Sequence, residues 1–239
     1  MLISHEYRFI FIKTRKTAGT SIEISLSRYL GPFDVITPIT PRDELMRAEQ
    51  GIMPRNYLQA VHSPPGVAKL HEADATAMLN SVQIVRRFYN HCPAVEIRAA
   101  VGQRIWETYT KFCFERNPWD RVLSEYFFMR KTKPDTFAEM SLDEYIEREF
   151  YSLNYPLYSL ANRPAVDMLG RFETLQSDFL RICQQLEIPC DGWLPHAKGD
   201  SRPDRQTARE VLSPRQIQLI GDRCRLEIDW LGYEQPCAA

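Results

Sequence analysis

The N-terminal segment of the chain reads as a buried strand, a short polar loop and a helix, an order that few fold classes accommodate. Residues 8–13 are an apolar, β-branched and aromatic run, which predicts a strand. From Thr20 onward apolar residues recur at helical spacing, and Gly31 followed by Pro32 predicts the end of a helix. The intervening loop is rich in lysine, threonine, glycine and serine. Such a loop is typical of sites where loop amides and a helix N-terminus bind an anion.

Two interpretations of this loop remain open from the residues alone. The spacing of an ordinary nucleotide triphosphatase loop is absent, because Lys16 comes before Gly19 rather than after a pair of glycines. The loop is therefore either a different kind of phosphate-binding loop or a tight turn. In the second case Gly19 serves the backbone geometry, and Thr20 or Ser21 caps the helix.

Strands and helices alternate along the rest of the chain, which predicts an α/β fold with a central, mainly parallel sheet flanked by helices. The predicted strands are residues 8–13, 109–114 and 166–172. Helices are predicted at 94–101 after Pro93, from Pro118 with Asn117 as cap, from Ser141, at 175–186, and as one long helix from Pro214 toward Trp230. Residues 32–70 are rich in proline and glycine, and the stretch 32–85 is expected to shape the acceptor pocket.

Composition limits the class of protein. A chain of 239 residues with 44% hydrophobic residues suits one domain, residues 1–239. The net charge of −1 predicts neither a nucleic-acid partner nor attraction to an anionic membrane. No apolar run is long enough for a membrane span, and the six cysteines show no zinc spacing, so we expect a cytoplasmic protein with reduced thiols and no metal.

A second segment, residues 114–126, is the more informative one. Arg116 follows a predicted strand, Asn117 and Pro118 start a helix, and Ser124 lies about two turns into that helix. A guanidinium, helix-terminal amides and a hydroxyl together suit a dianionic phosphate. The alternative is that Arg116 pairs with a carboxylate such as Asp120 while Ser124 only packs.

These two segments, in this order, resemble those of the sulfotransferases that use 3′-phosphoadenosine 5′-phosphosulfate (PAPS). The resemblance is strongest to the Golgi-type carbohydrate sulfotransferases and their bacterial relatives. The motifs are Lys16-Thr17-Ala18-Gly19-Thr20-Ser21 and Arg116-Asn117-Pro118-Trp119-Asp120-Arg121 with Ser124. The resemblance extends to residues 91–98 and 170–173. One departure is Arg15, which stands where the family usually has proline and adds a cation beside the predicted loop.

The resemblance implies a P-loop-like fold and a set of PAPS-binding residues. The first motif would hold the 5′-phosphosulfate and the second the 3′-phosphate. The loop around Ser201 and Arg202 would close over the 3′-phosphate, although a merely solvated loop fits those residues equally well. The implied cofactor-binding residues are Arg15, Lys16, Thr17, Ala18, Gly19, Thr20, Ser21, Arg116, Ser124, Ser201 and Arg202.

Two residues are expected to carry the chemistry. Lys16 would neutralise charge that develops on the leaving oxygen. His91 would remove the proton of the acceptor hydroxyl, with His62 as second choice, and the rate would rise with pH through the ordinary imidazole pKa.

The sequence thus predicts a PAPS-dependent O-sulfotransferase that acts on a carbohydrate, a glycolipid or a small hydroxylated acceptor. The alternatives are a P-loop-type kinase or nucleotide hydrolase, and a nucleotide-binding scaffold that has lost catalysis.

Overall fold

The structure is a computed structural model that describes residues 1–62, 82–195 and 207–236. Its strands are β1 (Leu2–Ser4), β2 (Phe9–Phe11), β3 (Val35–Ile36), β4 (Leu58–His62), β5 (Val82–Arg86), β6 (Thr110–Glu115), β7 (Ser159–Leu160), β8 (Arg163–Pro164) and β9 (Met168–Arg171). Its helices are α1 (Gly19–Ser27), α2 (Pro41–Ala48), α3 (Ala94–Val101), α4 (Gln103–Thr108), α5 (Pro118–Thr132), α6 (Pro134–Phe137), α7 (Leu142–Glu147), α8 (Tyr155–Tyr158), α9 (Leu175–Gln185), α10 (Ala208–Val211), α11 (Pro214–Arg223) and α12 (Arg225–Leu231).

The central sheet has the strand order β3-β1-β2-β6-β9. The pairs β2–β6 and β6–β9 are parallel, with Phe11 opposite Phe112 and Phe112 opposite Met168. Strand β1 is antiparallel to both β2 and β3, so β1 alone runs against the other strands of this sheet. The prediction of a mainly parallel sheet flanked by helices is therefore confirmed, although the short strands β1 and β3 of this sheet were not predicted.

Both faces of the sheet are buried because its side chains alternate between two hydrophobic clusters. Ile10 and Cys113 point to the face that α3 covers, and Phe11 and Phe112 point to the face that α1 and α9 cover. A third cluster joins α5, α7 and α11 beside the sheet. Burial on both faces explains why the four consecutive residues 9–12 are all apolar.

The parallel strands bring three chain segments to one edge of the sheet, because β2, β6 and β9 all end there. The loop of residues 12–18 follows β2, Arg116 follows β6, and Phe172 follows β9. This edge is therefore where the residues predicted from the two motifs meet.

The long helix predicted after Ser213 is instead two helices, α11 and α12, which break at Cys224. Buried contacts lie at this break, since Arg121 donates to the Cys224 sulfur at 3.5 Å and to Glu227 Oε2 at 2.5 Å. The Arg121–Glu227 ion pair is buried, so the two helices are fixed against α5 at this break. No helix among the described residues is both long and apolar enough to cross a bilayer.

Candidate functional site

The loop between β2 and α1 has an unusual backbone that is anchored to the neighbouring strand. Lys16 and Ala18 both have φ of 60°, the left-handed region that residues other than glycine rarely occupy. The Thr14 hydroxyl donates to the carbonyl of Phe114 at the end of β6, and Thr14 Oγ1 lies 2.9 Å from Thr17 Oγ1. The loop is thus a fixed element of the sheet edge.

Helix α1 begins without a side-chain cap. Its N-cap is Ala18, and no side chain accepts a hydrogen bond from its first amides in the part of the chain that the structure describes. The alternative interpretation, in which Thr20 or Ser21 caps the helix, is therefore wrong. The first turn instead presents the partial positive charge that suits an anion.

Gly19 is required by packing rather than by backbone conformation. A Cβ at this position would lie 2.8 Å from Lys13 Cγ and 3.2 Å from Lys13 Cε. The Lys13 side chain is held in place because its ammonium pairs with Glu23 inside the protein. Glycine therefore lets the first turn of α1 pass directly over the Lys13 stem.

Replacing Gly19 by alanine is expected to lower the free energy of unfolding by about 1–3 kcal/mol, the usual cost of overpacking a buried site. Gly221→Ala in helix α11 is the matched control, because among the described residues the new Cβ meets only the Trp119 side chain, at an ordinary contact distance of 3.5 Å. Denaturant unfolding of both variants tests the prediction, and equal stability of the two would contradict it. In the control, alanine should be neutral or stabilising.

A buried ion-pair cluster lies beneath the loop. Burial raises the pKa of Glu23, but the Lys13 ammonium and the Met1 amino group outweigh this and lower the pKa to about 2. Glu23 therefore stays ionised and pairs with Lys13. The Lys13 charge is thus paired inside the protein.

Lys16 contacts the helix that carries Ser124. Its Nζ lies 4.1 Å from the centroid of the Phe128 ring, a cation–π contact. Phe128 and Ser124 are four residues apart on α5 and so share one helix face. The structure therefore brings the lysine of the first motif to the serine face of the second.

Arg116 is held at the start of the same helix. Its guanidinium lies 4.1 Å from the centroid of the Phe172 ring, and its backbone N–H donates to Glu115 Oε2 at 3.1 Å. The predicted cap is present, since the Asn117 side chain accepts hydrogen bonds from the amides of the first turn of α5. Burial, reinforced by the nearby Glu227 carboxylate, raises the pKa of Glu115 above the usual value of a glutamate.

His91 lies beside the loop, in a conformation with φ of 59°. Its Nδ1 is 3.0 Å from the carbonyl oxygen of Lys13. Because a carbonyl only accepts, Nδ1 carries the proton and Nε2 keeps its lone pair. Burial, reinforced by the charges of Lys13 and Arg15, lowers the pKa of His91 to about 3.

The low pKa corrects one expectation. A rate limb at the ordinary imidazole pKa is not expected for the unliganded protein, because His91 is already neutral well below that pH. Ser201, Arg202 and the side chain of His62 lie outside the described residues.

Sequence reasoning missed three residues at this edge: Phe128, Phe172 and Asn154. Phe128 could have been found from its position one turn after Ser124, and Phe172 from its position as the last residue of a predicted parallel strand. Asn154 is buried and contacts Arg15, which is 139 positions away in the chain. No local pattern marks it.

Comparison with known proteins gives two findings. A family model described as the sulfotransferase family matches residues 1–234. An uncharacterised protein of Archaeoglobus fulgidus is 33% identical over 102 residues, which cover 41% of this chain and 83% of that protein.

Proposed function

The chain belongs to the sulfotransferase family, and on that premise we propose that it is a single-domain enzyme that transfers a sulfuryl group from PAPS to a hydroxyl acceptor. The observation that carries the proposal is the contact between the first motif and the helix that carries the second. Lys16 from the loop lies against Phe128 on the helix that also carries Ser124 and follows Arg116. One ligand with two separate phosphate groups would be held at both places.

The residues present fit such a ligand in charge and in donor chemistry. The uncapped start of α1 offers backbone amides at Gly19, Thr20 and Ser21, and the left-handed loop before it adds amides from Thr17 and Ala18. Arg15 and Lys16 add positive charge on this side. On the other side, Arg116 presents a guanidinium that packs over the Phe172 ring.

Sulfuryl transfer resembles phosphoryl transfer, in which catalysis is mainly positioning and charge stabilisation. PAPS would supply the sulfuryl group, and the sulfur–oxygen bond to the 5′-phosphate would break as the acceptor oxygen bonds to sulfur. Lys16 would neutralise the charge that appears on the leaving phosphate oxygen. His91 would take the acceptor proton on Nε2, while its Nδ1–H stays hydrogen bonded to the Lys13 carbonyl.

We propose a carbohydrate or a glycolipid as the acceptor, on the ground of the resemblance to carbohydrate enzymes. A transfer screen with labelled PAPS over sugars, lipids and peptides would test this. Transfer to a peptide alone would overturn the acceptor class and leave the sulfotransferase proposal intact.

Ligand choice separates this function from the two alternatives. A PAPS-dependent enzyme binds adenosine 3′,5′-bisphosphate in preference to ATP, whereas a kinase or a nucleotide hydrolase prefers ATP. Calorimetric titration with both nucleotides makes this comparison. A scaffold without catalysis would bind adenosine 3′,5′-bisphosphate but give no turnover with any acceptor of the screen.

Arg116→Ala is expected to weaken binding of adenosine 3′,5′-bisphosphate by about 1.5–3 kcal/mol, the value of hydrogen bonds to a charged group. Ser124→Ala should cost less because it removes one neutral hydroxyl. Arg116→Lys keeps the positive charge but loses the paired N–H donors of the guanidinium, so its loss of affinity should be smaller than that of Arg116→Ala. Unchanged affinity in Arg116→Ala, together with a lower unfolding free energy, would instead favour a structural pairing with Asp120.

A further inference from the structure

Asn154 is a fully buried side chain that pairs with the loop of the first motif. Its Oδ1 accepts a hydrogen bond from Arg15 N–H at 2.8 Å, and its Nδ2 donates to the Arg15 carbonyl at 3.1 Å. The side-chain amide thus pairs with Arg15 in both directions, as the backbone of a neighbouring strand would. The second hydrogen of Nδ2 points to Glu115 Oε2 at 3.2 Å.

This orientation of the amide is the one that the contacts permit. A flipped amide would place Nδ2 against the Arg15 N–H and Oδ1 against two oxygens. The backbone of Asn154 is fixed as well, because its N–H donates to Glu227 Oε1 at 2.6 Å. Glu227 is itself held by the buried ion pair with Arg121.

The loop needs such an anchor. Lys16, the residue after Arg15, has φ of 60°, and Ala18 has the same value. Left-handed conformations are unfavourable for residues with a Cβ, and they persist where surrounding contacts fix them. The two bonds to Asn154 fix the backbone immediately before Lys16 and therefore the direction in which its side chain leaves the loop.

The same amide also connects the loop with the second motif. Glu115 Oε2 accepts from Asn154 Nδ2 and from the N–H of Arg116 at 3.1 Å. A continuous path of hydrogen bonds therefore runs from the Arg15 backbone through Asn154 and Glu115 to the Arg116 backbone. Its two ends are the segments that carry Lys16 and the guanidinium of Arg116.

We propose that Asn154 is a positioning residue that sets the Lys16 ammonium relative to Arg116. The two phosphate groups of one PAPS molecule can then bind at both motifs at the same time. The inference rests on the proposed function, because it assumes that one ligand spans the two motifs. Asn154 acts through Lys16 and Arg116, and it does not touch the reacting atoms.

The first experiment compares three variants with the wild type in labelled transfer from PAPS. Asn154→Ala should lower kcat/KM by about 10²-fold, the cost of a small misplacement at a reacting centre. Asn154→Asp keeps the acceptor for the Arg15 N–H but loses both donated hydrogen bonds. Its kcat/KM should therefore lie between those of the wild type and Asn154→Ala. Tyr155→Phe is the matched control, because this hydroxyl donates to the Asn162 carbonyl at 2.9 Å, away from the loop; its kcat/KM should equal that of the wild type.

The second experiment separates positioning from a general loss of stability. If Asn154 acts through Lys16, Asn154→Ala should lower kcat/KM much less in a Lys16→Ala background than in the wild type. Fully additive losses in this double-mutant cycle would overturn the inference. If Asn154→Ala does not fold, the same cycle is run with the isosteric Asn154→Asp and judged by the same criterion.

Titration with adenosine 3′,5′-bisphosphate distinguishes the two ways of failing. A wild-type protein that does not bind it would overturn the proposed function and this inference together. A wild type that binds and turns over, with Asn154→Ala equal to it in kcat/KM, would overturn the inference alone.

Discussion

Lys16→Ala is expected to lower kcat for sulfuryl transfer by about 10²–10³, as removal of one charge-stabilising group from a transition state does. Binding of adenosine 3′,5′-bisphosphate should weaken much less, because the charge that Lys16 neutralises develops as the sulfur–oxygen bond breaks. Labelled transfer gives kcat, and calorimetry gives the affinity. The free-energy cost of the left-handed backbone is the same in the wild type and in Lys16→Ala, because lysine and alanine both carry a Cβ at this position.

Two further variants isolate the charge. Lys16→Met keeps an unbranched stem over Phe128 and removes the ammonium, so it should match Lys16→Ala in kcat. Arg15→Ala removes the adjacent, exposed cation and should lower kcat far less. Near-normal turnover of Lys16→Met would assign Lys16 a structural role and would contradict the proposed reading of the loop.

His91→Asn is expected to lower transfer by about 10²–10⁴, the usual contribution of a positioned general base. Asparagine is the informative replacement, because its Nδ2 can take the place of the imidazole Nδ1 and keep the bond to the Lys13 carbonyl. Asparagine also tolerates the left-handed backbone at this position. The variant therefore removes the lone pair of Nε2 and leaves the anchor.

The low pKa of His91 fixes the expected pH dependence. Between pH 5 and 8 the free protein holds His91 neutral, so the kcat/KM profiles of wild type and His91→Asn should have the same shape. In the complex, the anionic PAPS beside Lys13 and Arg15 would offset their positive charge and so raise the pKa of His91. The acid limb of kcat should consequently lie at higher pH than that of kcat/KM.

Stability gives an independent check on the buried, neutral state of His91. Its pKa is about 3 in the folded protein, against an ordinary value of about 6.5 in the unfolded chain. As the pH falls below about 6.5, the unfolded state binds the proton and the folded state does not, so the unfolding free energy decreases. This part of the decrease should be missing in His91→Asn when both proteins are unfolded by denaturant at a series of pH values.

The alternative base is tested in the same assay. If His62→Ala abolishes transfer while His91→Asn spares it, His91 is misassigned and the sulfotransferase proposal survives. A kcat/KM limb near pH 6.5 that is present in the wild type and missing in His91→Asn would keep His91 as base but contradict its low pKa. His5→Ala is the control, since His5 bonds to the Tyr109 hydroxyl at the protein surface.

Much of the local structure follows from the sequence. Asn117 and Pro118 start α5 as predicted, Ser213 and Pro214 start α11, and β2, β6 and β9 form at the three predicted strands, whereas the other strands were not predicted. A helix cap involves about three neighbouring residues, and an apolar period involves one helix or strand. Both can therefore be recognised from a short stretch of sequence. The order of the two motifs indicated the family for the same reason, because the residues of each motif are contiguous.

Other features depend on contacts between distant segments, and no local pattern contains them. Arg121 contacts both Cys224, where α11 and α12 break, and Glu227, more than a hundred positions later in the chain. The neutral state of His91 results from burial beside Lys13 and Arg15. The side chain of Asn154 reaches a loop 139 positions earlier. The chain thus encodes its elements and motifs through short-range interactions, whereas burial and the juxtaposition of remote side chains set the charge states and the anchors of the candidate site.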